Sequence, residues 1–295
     1  MTARRIVFQG EPGANSDLAS RELFPGVTPI ALPTFEDCFQ ALSSGEADLG
    51  VIPIENSVAG RVADIHHLLP TSDLSIIAEH FLPVHHQVLG LPGASLEGLK
   101  VVQSHVHALG QCRNFIREHR LKAEVAADTA GSARQIVEIG DKGRGAIATR
   151  LAAKIHGLDI LAEDVEDEAH NTTRFVVFSP EAKWAPPGDG KVVTSFIFRV
   201  RNVPAALYKA LGGFATNRIN MTKLESYQLG GKFFATLFYA DVEGHPEEHD
   251  LKLALEELAF FSAEFRIVGV YPASPFREWI AEPAENRDLR PSPKV

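Results

Sequence analysis

Four short stretches bring hydroxyl, amide, carboxylate and imidazole groups to points where an apolar run ends. Gln9-Gly10-Glu11-Pro12-Gly13-Ala14-Asn15-Ser16 leads through glycines toward a helix. It lacks the spacing of a dinucleotide fingerprint and the lysine of a P-loop, so it serves either a ligand or a plain strand-to-helix turn. Pro53-Ile54-Glu55-Asn56-Ser57-Val58-Ala59-Gly60 ends a buried run in a carboxylate, an amide and a hydroxyl. These suit a polar ligand, although Asn56 or Ser57 would equally cap a helix. Ser104-His105-Val106-His107-Ala108-Leu109-Gly110-Gln111 opens a helix whose first backbone amides are free for a carboxylate, with Gln111 one turn beyond His107. Asn171-Thr172-Thr173-Arg174-Phe175 offers an amide, two hydroxyls and a guanidinium, and also reads simply as the start of a β-branched strand.

A metal would need more than these stretches supply. His105 and His107 lack compatible third and fourth ligands nearby, and His66-His67 and His85-His86 do not complete a set. Solvated or capping histidines are the expectation, and no metal is.

The elements that must hold these groups alternate. Apolar runs at Arg5 to Phe8, Thr28 to Leu32, Leu49 to Ile54, Leu74 to Ala78, Lys100 to Ser104, Ala123 to Ala126 and Arg144 to Ala148 read as strands. Between them lie amphipathic helices, clearest in Phe35, Cys38, Phe39 and Leu42 and in Leu109, Cys112, Phe115 and Ile116. This βα order predicts an α/β domain with a largely parallel sheet. Ligands of such sheets lie beyond the carboxyl ends of the strands, where the four stretches fall.

The breaker-rich segment Pro180 to Gly190 interrupts every period and reads as a linker. Beyond it come an alternating strand at Thr194 to Arg201, a helix with Leu207, Ala210, Leu211 and Phe214, and a strand pair around Gly230-Gly231. A helix with Leu251, Leu255 and Leu258 and a last strand, Phe265 to Tyr271, complete a ferredoxin-like βαββαβ order. The polar end of the chain, from Ala281, has no periodicity and is expected to be mobile.

Composition narrows the partners. A net charge of −9 over 295 residues, with no basic run, argues against nucleic acid and anionic membranes. Two cysteines, Cys38 and Cys112, both on apolar helix faces, read as reduced core residues. The N-terminus passes from two arginines directly into a strand, without the apolar stretch of a signal peptide or span, so a cytoplasmic location is expected.

Taken in order, the segments resemble the prephenate dehydratase family, known by a Gly-x-Pro-Gly element, Pro-Ile-Glu-Asn-Ser, Ser-His…Gln-Cys and Asn-x-Thr-Arg-Phe. The match runs from Arg5 to Phe178, and Val193 to Arg277 resembles the ACT domain usually fused behind it. The resemblance implies a catalytic domain over residues 1–182, folded as two lobes like type II periplasmic binding proteins. Lobe one would take about 1–80 and 165–182, and lobe two about 81–164. A linker at 183–192, an ACT domain at 193–277 and a mobile tail at 278–295 would follow.

The reaction implied is prephenate to phenylpyruvate, with loss of carbon dioxide and water and no redox cofactor or metal. By resemblance Thr173 contacts the departing oxygen. A threonine hydroxyl is a feeble acid and needs help, for which Arg174 or a relayed proton is the candidate, unless Arg174 pairs with an acid across the lobes. Asn56, Ser104 and Gln111 match substrate-positioning residues, with Glu55, Ser57 and Asn171 shaping the pocket. The chain departs from relatives at Val106 and His107, where they carry proline and glutamine.

In the second domain, Ala205, Ala206, Leu207, Glu225 and Ser226 match half of the two motifs that form a phenylalanine site in relatives. The resemblance thus implies feedback inhibition by phenylalanine and a homodimer or homotetramer built through the ACT domain, or else a purely dimerising domain. With the dehydratase motifs beginning by residue 10, a monofunctional enzyme is expected. Arogenate dehydratase, the same chemistry on an aminated side chain, and a non-catalytic amino-acid sensor are the rival readings.

Overall fold

A computed structural model describes residues 4–62, 65–168, 170–188, 190–228 and 235–281. It contains β1 (Ile6–Gln9), α1 (Asn15–Leu23), β2 (Ile30–Leu32), α2 (Phe35–Ser43), β3 (Leu49–Asn56), β4 (Gly60–Arg61), α3 (Ile65–Leu68) and β5 (Ser75–Pro83). Next come β6 (Gln87–Gly90), β7 (Val101–Ser104), α4 (Val106–Gln111), α5 (Arg113–Glu118), β8 (Lys122–Val125), α6 (Thr129–Ile139), β9 (Arg144–Ala148), α7 (Arg150–His156), β10 (Asp159–Ala162) and β11 (Thr172–Ser179). The chain ends with β12 (Val192–Val200), α8 (Ala206–Thr216), β13 (Met221–Gln228), β14 (Ala235–Glu243), α9 (His249–Phe261), β15 (Ser262–Pro272) and α10 (Phe276–Ala281). Two compact units result: residues 1–41, 50–62 and 80–175, and residues 42–49, 63–79 and 176–295.

The first unit contains two sheets. One has the order β11-β3-β1-β2, with β1 and β2 parallel and β4 folded back on β3. The other, β10-β6-β9-β7-β8, is parallel through β9, β7 and β8, while β6 runs antiparallel to β9 and β10 antiparallel to β6. Strands β6 and β10 were not among the sequence-predicted strands, and they make this sheet mixed rather than largely parallel. Period-two alternation covers both of its faces. Val88, Val102 and Ile147 pack with Leu109, Cys112 and Ile116, whereas Leu89, Ala146 and Ala148 pack with Ala133, Ile136, Ala152 and Ala153.

Local chemistry sets the helix ends. Thr34 and Asp37 cap α2 reciprocally, the Asp37 N–H donating to Thr34 Oγ1 at 3.0 Å and the Thr34 N–H to Asp37 Oδ2 at 3.2 Å. Asp128 and Thr149 accept from Gly131 and Ala152 at the starts of α6 and α7, which both end on left-handed glycines, Gly140 and Gly157. The single helix expected through Leu109 and Ile116 is broken at Cys112. The cause is remote: Asp167 accepts from the backbone N–H groups of Arg113 at 3.0 Å and Asn114 at 3.1 Å, capping a new helix there.

In the second unit β13-β14-β12-β15 form an antiparallel sheet in the expected βαββαβ order. Phe196, Phe198, Phe238, Ala240 and Val242 turn one sheet face toward Ala210 and Phe214 of α8 and Leu251, Leu255 and Leu258 of α9. The turn around Gly230-Gly231 lies outside the described residues. Residues 278–281, expected in the tail, are the last turn of α10, and 282–295 lie outside the described residues.

Candidate active site

Neighbouring strands β3 and β11 carry the central groups. Side chains alternate along a strand, so Asn56 and Thr173 project from one face of this pair and Glu55 and Arg174 from the other. Asn56 Nδ2 donates to Thr173 Oγ1 at 2.9 Å and to Asn171 Oδ1 at 2.7 Å. On the opposite face the buried Arg174 guanidinium donates to Glu55 Oε1 at 2.8 Å and lies 5.9 Å from the Phe81 ring centre. Consecutive strand residues face apart, so the Arg174 guanidinium is turned to the face opposite the Thr173 hydroxyl that it was expected to help. One acid partner, Glu55, is on the adjoining strand.

The amide chain continues into the segment carrying the second sheet. Asn171 Nδ2 donates to Gln111 Oε1 at 2.8 Å, and His86 Nε2 lies 2.9 Å from the same oxygen. The Asn171 carbonyl accepts from the Val84 N–H at 2.8 Å, holding its backbone beside the end of β5. His86 is buried, and burial pushes its imidazole below the ordinary value of 6.5, outweighing the Gln111 hydrogen bond and the Glu166 charge. Glu166 accepts from the His86 N–H at 2.9 Å and pairs with His85 Nδ1 at 2.7 Å.

Asn56, Gln111, Asn171 and Thr173 are thus brought together from three separate stretches. Ser57 stays beside them but works on the backbone: it donates to the His170 carbonyl at 3.1 Å and accepts from the Thr172 N–H at 2.9 Å. Ser104, expected to touch substrate, is fully buried and donates to the Ile147 carbonyl at 2.6 Å, pinning β7. His105 caps α4 by accepting from the His107 N–H at 3.4 Å, one of the two roles, solvated or capping, expected of these histidines. From the first stretch, the Gly13 carbonyl accepts from Thr149 Oγ1 at 2.5 Å, and Glu11 pairs with Arg134 at 3.0 Å, which holds the Glu11 carboxyl below its ordinary range.

Sequence reasoning missed His86, Thr149 and Glu166. His86, set aside as a metal ligand and expected to be solvated or capping, is buried instead. Its proximity to Gln111 depends on strand β6, a run of four residues too short to stand out. His85, Asp164 and Glu166 also gather within 4.8 Å of one another, a grouping hidden by their separation in the chain.

The positions expected to bind an effector lie in the second unit. Ala205 precedes α8 in a left-handed conformation, φ 61°, and Ala206 and Leu207 pack on the plait core. Glu225 and Ser226 are on β13, where Glu225 accepts from Lys223 Nζ at 3.3 Å. Tyr208 and Phe260 are 81% and 79% exposed, large aromatic surface on α8 and α9.

The chain thus combines an α/β region carrying a polar amide and hydroxyl chain with a ferredoxin-like plait behind it. Residues 6–183 match the family model for prephenate dehydratase, and the chain belongs to that family. It is 50% identical over 93% of its length, and 98% of the relative's, to a bifunctional N-acyl-homoserine lactone acylase/prephenate dehydratase of Komagataeibacter europaeus. A 38% identity over 91% of the chain, and 72% of the relative's, links it to arogenate dehydratase/prephenate dehydratase 1 of Arabidopsis thaliana. Among solved structures, a prephenate dehydratase from Arthrobacter aurescens in complex with L-Phe superposes with a TM-score of 0.83 at 30% identity, covering 91% of this chain and 90% of that one.

Proposed function

We propose that this chain converts prephenate into phenylpyruvate, carbon dioxide and water, with Thr173 as the catalytic residue. The hydrogen bond from Asn56 to the Thr173 oxygen carries this reading, because it turns a weakly acidic hydroxyl into a supported donor. In the substrate dianion the bond from the ring to its carboxylate breaks, carbon dioxide leaves, and the electron pair enters the ring. The carbon–oxygen bond across the ring breaks with its pair on oxygen. That oxygen takes the Thr173 proton and departs as water, while Thr173 regains a proton from solvent. One proton is consumed for each dianion converted to the phenylpyruvate monoanion. Aromatisation drives the step, so the residues have only to orient the substrate and meet charge on the leaving oxygen.

Asn56, Asn171 and Gln111 form the positioning set in this reading, with Ser57 holding the β3 and β11 ends together. Phenylalanine acts as effector on the plait, through the Ala205 to Leu207 and Glu225-Ser226 positions, in a homodimer or homotetramer, and the enzyme works in the cytoplasm. The L-Phe complex of the Arthrobacter relative and the exposed Tyr208 and Phe260 support this regulation. Phenylpyruvate release from prephenate, followed with and without phenylalanine, tests the whole reading; absence of phenylpyruvate overturns it.

Two further activities have specific support. The Arabidopsis relative favours arogenate as a second substrate, and the Komagataeibacter relative favours hydrolysis of N-acyl-homoserine lactones. Parallel assays on arogenate and on an acyl-homoserine lactone decide both.

A further inference from the structure

Hydrogen-bond polarity along the amide chain follows from groups whose roles cannot change. Asn56 Oδ1 accepts the backbone N–H of Val58 at 3.0 Å and of Ala59 at 2.7 Å. A backbone N–H is always a donor, so Oδ1 is the acceptor end of this amide and Nδ2 the donor end. The two Asn56 hydrogens go to Asn171 Oδ1 and Thr173 Oγ1. With its oxygen occupied, Asn171 donates from Nδ2 to Gln111 Oε1. Gln111 Oε1 is then an acceptor, so His86 Nε2, 2.9 Å away, carries a hydrogen. Burial disfavours the imidazolium, which agrees with a neutral ring protonated on Nε2.

Two donors are left over. Thr173 Oγ1 accepts from Asn56, so its own proton points elsewhere, and among the described residues nothing accepts it. Gln111 uses only its side-chain oxygen in the chain, and among the described residues its Nε2 has no partner.

We propose that Asn56 and His86 are positioning residues that pin the two ends of this chain, so that it presents the Thr173 O–H and the Gln111 amide hydrogens to an oxygen-rich anion. The proposal rests on the dehydratase reading and deepens it. A leaving hydroxide and substrate carboxylates need donors, and each amide in the chain is held in the one orientation that supplies them. Asn56 is thereby the group that assists Thr173, acting through the threonine oxygen. Without the His86 hydrogen, Gln111 loses one of the two donors that fix its orientation, and its amide group is free to present oxygen instead of hydrogen to the substrate.

Imidazole 15N NMR of the whole unliganded protein, with His86 assigned through His86→Phe, is the direct test. A neutral ring protonated on Nε2 is expected; an Nδ1–H tautomer or an imidazolium at neutral pH overturns the chain's polarity. Kinetics supply the second readout. Asn56→Asp keeps the acceptor for Val58 and Ala59 but removes both donated hydrogens, and should lower kcat about a hundredfold, as for loss of one preorganised donor. His86→Phe should lower kcat on the order of tenfold, equivalent to one hydrogen bond of ordinary net strength, with KM within about twofold. Unchanged kcat in either variant, or a loss confined to KM in His86→Phe, overturns the positioning role. If the wild-type protein turns over neither prephenate nor arogenate, it is the dehydratase reading that fails, and the NMR still decides the polarity.

Discussion

Asn56 Nδ2 lies 2.9 Å from Thr173 Oγ1, and it reaches that oxygen as a donor because its own oxygen is held by two backbone N–H groups. The direction matters more than the distance. A threonine that gave its proton to a neighbour would have none for a departing hydroxide, whereas one that accepts from an amide keeps its proton and has any negative charge on its oxygen met in advance. Strand alternation accomplishes this without a cation, since Arg174 and Glu55 are turned to the other face.

Removal of the hydroxyl is the first consequence. Thr173→Ala should lower kcat by roughly a hundredfold to ten-thousandfold, the range for a lost proton donor, with a much smaller change in KM. Thr173→Ser, which keeps the hydroxyl, should retain a substantial part of the turnover. Steady-state phenylpyruvate formation checks both, and undiminished turnover in the alanine variant removes Thr173 from the chemistry.

Arg174 should behave differently. It is 2% exposed and its partner Glu55 is about one-third exposed, so Arg174→Met removes a cation from a site where one acid retains partial access to water. Loss of such a pair should cost about 1–3 kcal/mol, below the figure for a fully buried pair because solvent screens Glu55. Thermal unfolding should show the lowered midpoint, while kcat at a temperature where the variant is folded should fall far less than in Thr173→Ala. A kcat loss equal to that of Thr173→Ala would return Arg174 to the reacting face.

Much of this was legible from residue order, and what was not has identifiable causes. The βαββαβ plait and most α/β strands announce themselves by period because each buries one face or both. Asn56, Gln111, Asn171 and Thr173 were each singled out, yet nothing local to them says that they join in a chain. That depends on pairings 60 to 117 residues apart. The break at Cys112 was hidden for the same reason, its cap being Asp167. Arg174 is the contrary case. Adjacent strand residues face apart, so its separation from Thr173 is already implied by reading Asn171 to Phe175 as the start of a strand.

Burial of neutral His86 ties the fold to pH. Its folded pKa is depressed below 6.5, so the stability linked to the neutral ring is fully present above that value and is lost as pH falls through the folded pKa. Glu166, His85 and Gln111 face the ring, and Glu166 and Gln111 oppose the depression without cancelling it. Unfolding midpoints recorded from neutral pH down to about 5 should decline more steeply for the wild type than for His86→Phe, which has no proton to bind there. Parallel slopes would show that His86 does not titrate differently on folding.

Gly13 offers a test of how the first loop is held. Its φ of +92° is unfavourable for any residue with a Cβ, and a Cβ built there would lie 2.8 Å from the Ala152 Cα, a backbone atom that cannot swing aside. The same loop is fastened by Thr149, whose hydroxyl donates to the Gly13 carbonyl at 2.5 Å while accepting the Ala152 N–H at 3.0 Å. Gly13→Ala therefore has to move the loop or the start of α7, and should destabilise the protein by about 2–4 kcal/mol through combined strain and overpacking. Thr149→Val should cost less, about 1–3 kcal/mol, because it removes hydrogen bonds without a collision. Chemical denaturation of both variants checks the order, and a Gly13→Ala protein as stable as the wild type would mean that the loop and α7 do not approach this closely in solution.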